Sequence, residues 1–213
     1  MSKKGLTWFR ITSDRHQPCG REGHTLVAFT ENAYMFGGNE NGSRGNSVER
    51  FHAPSLTWSK EPYVGTPPSP RSYHSACQYE EFMIIHGGEG IYDDKSNTND
   101  VCLNDPMGSS RKNFKVMTAR QDGPLVRCLE DMHVYNTLNH QWRNVKSSLS
   151  PLPRKGHTIC VGKVRNVETH VKEKEELLIL FGGYSASSNL MSNSLHICPV
   201  AEIIGFMNSL FVK

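Results

Sequence analysis

Apolar residues along this chain come in short runs, and each run stops at a cluster of Gly, Asn, Ser or Pro. Between His24 and Lys60 four such runs follow one another, "HTLVAF", "AYMFG", "SVERF" and "LTWSK", separated by "TENA", "GNENGSRGN" and "HAPS". Runs this short, bounded by turn residues, predict β-strands rather than helices. Val27 and Phe29, Tyr34 and Phe36, and Val48 and Arg50 alternate with their neighbours, while the middle strands are apolar on both faces. Strands apolar on both sides are expected where one sheet packs face to face on the next.

The same order of strands and turns returns twice more. Trp8, Trp58 and Trp142 are followed at nearly constant spacing by Arg21, Arg71 and Arg154 and then by His24, His74 and His157, in the strings "GREGHTLVAF", "PRSYHSACQY" and "PRKGHTICVG". A glycine pair then closes an apolar run in each copy: Gly37 and Gly38, Gly87 and Gly88, Gly182 and Gly183. The second copy carries a long insertion (89–127) and the third a shorter one (163–176, ending in "NVETHVKEKEE"); without them the period is about 50 residues. The units are 1–61, 62–146 and 147–198, followed by a divergent apolar tail at 199–213.

A period near 50 with this arginine, histidine, double glycine, strand-three tyrosine and closing tryptophan resembles the kelch repeat, whose unit is one four-stranded propeller blade. The resemblance implies an all-β, kelch-type β-propeller that is incomplete: two full four-stranded blades, most of a third, and one preceding strand carrying Trp8. It covers most of the chain outside the two insertions and the tail. The tail "AEIIGFMNSLFVK" lacks the tryptophan, leaving a substitute fourth strand or a short amphipathic helix as its alternatives.

Because they recur in register, Gly37, Gly38, Gly87, Gly88, Gly182, Gly183, Trp8, Trp58, Trp142, Arg21, Arg71, Arg154, His24, His74 and His157 are read as structural. Glycine at a strand end permits positive φ and close backbone approach. An anion-binding role for the pairs would need a helix N-terminus behind them, and polar, strand-like sequence follows instead. The three histidines occupy equivalent places in successive blades, which spreads them over different sectors, whereas zinc needs its ligands within about 2.1 Å of one centre. The arginines are expected to tie strand ends within their own blade or to the next, and the tryptophans to fill the gaps between blades.

The candidates for function are the non-periodic residues. The insertion of the second unit segregates charge by sign, with Asp93, Asp94, Asp100 and Asp105 in its first half and Arg111, Lys112, Lys115, Arg120 and Arg127 in its second. Long loops inside compact domains are often functional, so Tyr92, Asp93, Asp94, Arg111 and Lys112, together with Arg44 on the first unit, are taken as partner-binding residues. The aspartates lack calcium-loop order.

The bulk numbers narrow the classes. With 24 basic and 21 acidic residues the net charge is +3, which gives no ground for a nucleic-acid or membrane partner. No apolar run reaches the roughly 18–20 residues of a membrane span, and the N-terminus lacks a signal-peptide core. A cytoplasmic location, with nuclear access left open, is the simplest reading. The six cysteines show no C-x-x-C pair and are expected to be free thiols, Cys77 and Cys160 as small core residues.

No catalytic, cofactor-binding or metal-binding residue stands out, and no cofactor is expected; G-x-S-x-G, H-E-x-x-H and Walker patterns are absent. The expected function is therefore a protein–protein interaction module or scaffold that uses propeller loops. The resemblance extends this to adaptors in ubiquitination, cytoskeletal or signalling complexes. A galactose-oxidase-like or other enzyme-associated propeller is the alternative, and a non-functional fragment of a longer kelch protein a further one. Three repeats are fewer than the four to eight blades of typical propellers. Truncation of a longer product is the favoured account of this; self-association that completes a ring and an open arc capped by its tail are the others.

Overall fold

The computed structural model describes residues 9–11, 16–91, 126–145, 151–165, 174–185 and 189–208. In the first blade β1 (Thr25–Ala28) and β2 (Asn32–Phe36) are followed by a small hairpin, β3 (Asn39–Glu40) and β4 (Ser43–Arg44), and then by β5 (Val48–His52) and β6 (Thr57–Lys60). β1, β2, β5 and β6 form one antiparallel meander. Thr25 lies opposite Phe36, Phe36 opposite Val48, and Phe51 opposite Trp58.

The second blade repeats the plan with β7 (Arg71–Ser72), β8 (Ser75–Tyr79), β9 (Phe82–Ile91), β10 (Val126–Asn136) and β11 (Gln141–Val145), in which β7 and β8 both pair with β9. In the third blade β12 (Thr158–Arg165) and β13 (Lys174–Phe181) precede a hairpin of β14 (Tyr184–Ser185) and β15 (Leu190–Met191), and β16 (Leu195–Pro199) completes a three-stranded sheet with them. Where the other blades place a tryptophan-bearing fourth strand, the chain turns into α1 (Val200–Asn208). The tail is thus a helix, not a strand. Pro199 ends β16, Glu202 in the first turn suits the positive helix N-terminus, and Val200, Ile203 and Ile204 form one apolar stripe at helical spacing.

Blades stack through two apolar layers. Val27, Tyr34, Phe36 and Val48 of the first blade meet Met83, Ile85, Tyr135 and Trp142 of the second. Ile84 and Val134, on the opposite face of the second blade, meet Ile159, Leu178 and Leu180 of the third together with Val200 and Ile203 of α1. Alternate residues of β9 therefore serve two different junctions, which is why its middle is apolar on both faces. Each fully buried side chain of this size stabilises by about 1.5–3 kcal/mol. The sheets do not close into a ring, so the architecture is an incomplete propeller.

Several expectations change at the ends of this arc. Trp142 is buried between blades, but Trp58 is only half-buried, tilted against Phe51 at 5.2 Å on a face with no described blade against it. For the same reason His24 is exposed where His74 and His157 are buried, and Cys160 is exposed whereas Cys77 packs into the second layer. The five described cysteines are free thiols. At both insertions the flanking strands stay paired. β9 continues to Ile91 and β10 begins at Val126, directly opposite it, and β12 and β13 continue as one hairpin from Lys163 opposite Glu176 to Arg165 opposite Lys174.

Candidate protein-interaction face

One device joins each blade to the next. The first glycine of the first two pairs, Gly37 and Gly87, has a φ of 63°, and the following blade lies directly on it. A Cβ at Gly37 would stand 2.7 Å from the Arg71 carbonyl and 2.9 Å from the His74 ring; at Gly87 the Arg154 carbonyl and His157 ring stand at 2.8 and 2.9 Å. The second glycine then donates its amide to the same carbonyl, Gly38 to Arg71 and Gly88 to Arg154, both at 2.9 Å. Only a residue without a side chain admits this contact.

The arginines make the matching contact within their own blades. Nη1 of Arg21, Arg71 and Arg154 donates to the carbonyls of Gly37, Gly87 and Gly182, while Nε reaches back to the carbonyl two residues earlier. Arg71, fully buried, also forks onto Asp131 with both bonds at 2.7 Å. Burial alone would raise the Asp131 carboxyl, but hydrogen bonds from Arg71 and His133 outweigh it and hold it well below the usual range. The histidines fill the junction: the His74 ring meets Phe36 edge-on at 5.3 Å, and the His157 ring meets His86 at 5.0 Å. Burial lowers His74 and His86 to about 3 and His157 to about 4, so all three are neutral at physiological pH. Among the described residues no cluster of His, Cys, Asp or Glu could hold a metal ion.

The glycine pairs and the arginine-to-histidine segments lie at one end of the blades, and the β3–β4 hairpin, the insertion and the β14–β15 hairpin leave from it. There a charged seam crosses all three blades. Glu89 of the second blade accepts hydrogen bonds from Arg44 of the first and from Lys155 of the third, and Arg44 also reaches Ser72. Burial by itself raises the Glu89 carboxyl, yet these two cations bring it below its ordinary value. Arg44 therefore has a bonding role inside the arc. Tyr92, Asp93, Asp94, Arg111, Lys112 and Trp8 lie outside the described residues.

Beside the seam is a residue that the repeat pattern conceals. Gly23 and Gly156, one residue before the histidines, have φ of 63° and 65°; the equivalent in the second blade is Tyr73, with φ 54°. A tyrosine held in the left-handed region costs of order 1–3 kcal/mol that glycine avoids. The residue is 36% exposed. Lys155 Nζ stands 5.9 Å from the ring centres of both Tyr73 and Tyr184, within cation–π range. The signal for Tyr73 was in the sequence, as a tyrosine where the aligned copies read "EGH" and "KGH", but its meaning depends on φ.

Comparison with known proteins agrees with this architecture. The model of the KLHDC2/KLHL20/DRC7 Kelch-repeats domain matches residues 2–127. An F-box/kelch-repeat protein of Arabidopsis thaliana is 30% identical over 188 residues, 84% of this chain and 30% of its own length. A human Rab9 effector protein with kelch motifs is 36% identical over 95 residues, 41% of this chain and 26% of its own. The solved structure of YjhT superposes with a TM-score of 0.52 at 15% identity, covering 84% of this chain and 42% of that one. The fold and junctions define a propeller built from kelch blades. The chain belongs to the kelch-repeat family, and it spans about a third or less of the length of these curated relatives. The relatives fit a role in protein interaction.

Proposed function

We propose that this chain is a protein-binding module whose partner docks on the loop end of the blades, with Tyr73 as the anchoring side chain and Lys155 and Tyr184 beside it. The observation that carries this is the backbone of Tyr73: an exposed aromatic ring occupies a left-handed position that the two sister blades fill with glycine. Strain kept at an exposed site has its compensation elsewhere, and tyrosine is enriched among the few residues that dominate interfaces. The seam from Arg44 through Glu89 to Lys155 braces the platform under the ring. The names of the Arabidopsis F-box/kelch-repeat protein and the human Rab9 effector support two versions of the role, an adaptor in ubiquitination and a binder in signalling complexes.

Tyr73→Gly tests the reading, because it removes the ring and relieves the backbone together. Proteins captured by wild type and variant are compared by quantitative mass spectrometry, with unfolding followed in parallel. Partners recovered at least tenfold less by the variant, at unchanged or slightly higher stability, are the expected result; equal recovery would overturn the face. Ubiquitin-ligase subunits among the lost partners would assign the adaptor version.

A further inference from the structure

Both internal junctions use the same set of groups, and the two ends of the arc carry the two halves of that set without a described blade opposite. At the trailing end, blade three offers the receiving half. A Cβ at Gly182 would meet only the Ser192 carbonyl at 3.6 Å, whereas Gly37 and Gly87 lie under the next blade's arginine carbonyl and histidine ring. Phe181 takes the place of Phe36 and His86, the rings that receive His74 and His157, and is 51% exposed. Thr158 takes the place of Thr25, which bonds His74 Nε2 at 2.8 Å, and is likewise exposed. A cavity of about 470 Å³, with Thr158, Phe181 and Gly182 on one side and Tyr73, Lys155 and Tyr184 on the other, marks the socket.

At the leading end, blade one offers the inserting half. Arg21 supplies the carbonyl position and His24 the ring, and His24 is exposed. Leu26, at the place of buried-layer residues Ala76 and Ile159, is 56% exposed, and Trp58 is half-buried where Trp142 is fully enclosed. On the trailing sheet Phe181 pairs across the strands with Leu195, and Ile179 with Ile197; Leu195 and Ile197 are 64% and 61% exposed. An apolar blade face of this kind normally lies against another blade. The arc also has the size of a half-ring, since it covers 42% of a solved kelch propeller chain.

We infer that two copies of this chain close one six-bladed ring, each copy's third blade receiving the other's first. Two-fold symmetry forms both junctions at once, so the interface is closed rather than open-ended. In each junction the Arg21 carbonyl of one copy accepts the Gly183 amide of the other, and the His24 ring covers Gly182 and meets Phe181 edge-on. This surface adjoins the loop-end anchor, whose Tyr73, Lys155 and Tyr184 line the same cavity, so the two readings are told apart by their readouts: solution mass reports the ring, and partner capture by Tyr73→Gly reports the anchor.

The test is the solution mass of the full chain, measured by size-exclusion chromatography with light scattering, for wild type, Phe181→Arg and Gly182→Ala. The expected result is twice the chain mass for wild type. Phe181→Arg, on an exposed face, should give the mass of one chain with wild-type circular dichroism; Gly182→Ala, whose Cβ has room within the arc but none in the junction, should give the same mass and fold at a somewhat lower unfolding temperature, because its φ of 75° strains alanine. Leu26→Arg applies the same test from the leading face. A wild-type mass of one chain overturns the proposal, as does a spread of masses above two chains or a dimer that survives all three substitutions.

Discussion

Gly87 shows how much of this fold is decided at single atoms. Its φ of 63° disfavours any side chain, and a Cβ there would also stand 2.8 Å from the Arg154 carbonyl. Gly87→Val should lower stability by about 2–5 kcal/mol, from left-handed strain and overpacking together; an unchanged denaturation midpoint would refute the junction contact. The buried histidines make a second residue-scale prediction. Their folded pKa values of about 3 to 4 lie below the unfolded value of about 6.5. Below that unfolded value the unfolded chain binds protons that the folded one refuses, so stability is complete above about pH 7 and falls as the pH drops through 6.5. Each histidine should remove about 2 kcal/mol between pH 7 and 5. Urea titrations at the two pH values check this, and equal unfolding free energies would mean that these rings are solvated.

At the scale of elements, α1 replaces a strand. Val200 and Ile203 are 0% and 3% exposed, sealing the outer side of the second junction over Ile84, Val134 and Leu178. Ile203→Ala should therefore cost about 2–5 kcal/mol, measured as a shift in the urea midpoint, whereas an exposed tail would show less than 0.5 kcal/mol. Sequence reasoning placed the four strands of the first blade to within a residue or two, because short apolar runs between turn clusters carry strand boundaries locally. It left the tail open between strand and helix. "AEIIGFMN" satisfies both patterns, and the choice depends on the gap that β11, β13 and β16 leave for it.

Across the whole molecule, the seam through Glu89 ties together all three blades. The carboxylate is 8% exposed, with Arg44 and Lys155 on either side. Glu89→Gln should leave two neighbouring cations without their shared counter-ion and lower stability by about 1–3 kcal/mol. Because the carboxylate bridges blades one and three through blade two, the variant should also broaden the unfolding transition. A sharp, unshifted transition would show that the apolar layers alone hold the arc together. Nothing in the spacing of Arg44, Glu89 and Lys155 marks them as partners, since they come from three different units of the repeat.

The repeat, its all-β class and the kelch family were written in the sequence itself. Glycine pairs, arginines, histidines and tryptophans recur in register because every blade must solve the same packing problem with the same atoms. Tertiary structure alone decided which copies of these residues are buried. His24 and His74 occupy the same place in the repeat, yet one is exposed and the other enclosed. Burial depends on the neighbouring blade, and no local pattern encodes whether a neighbour is there. The same holds for Tyr73, an ordinary tyrosine in the sequence that becomes a strained, exposed ring once its backbone takes up the left-handed turn its sister blades give to glycine.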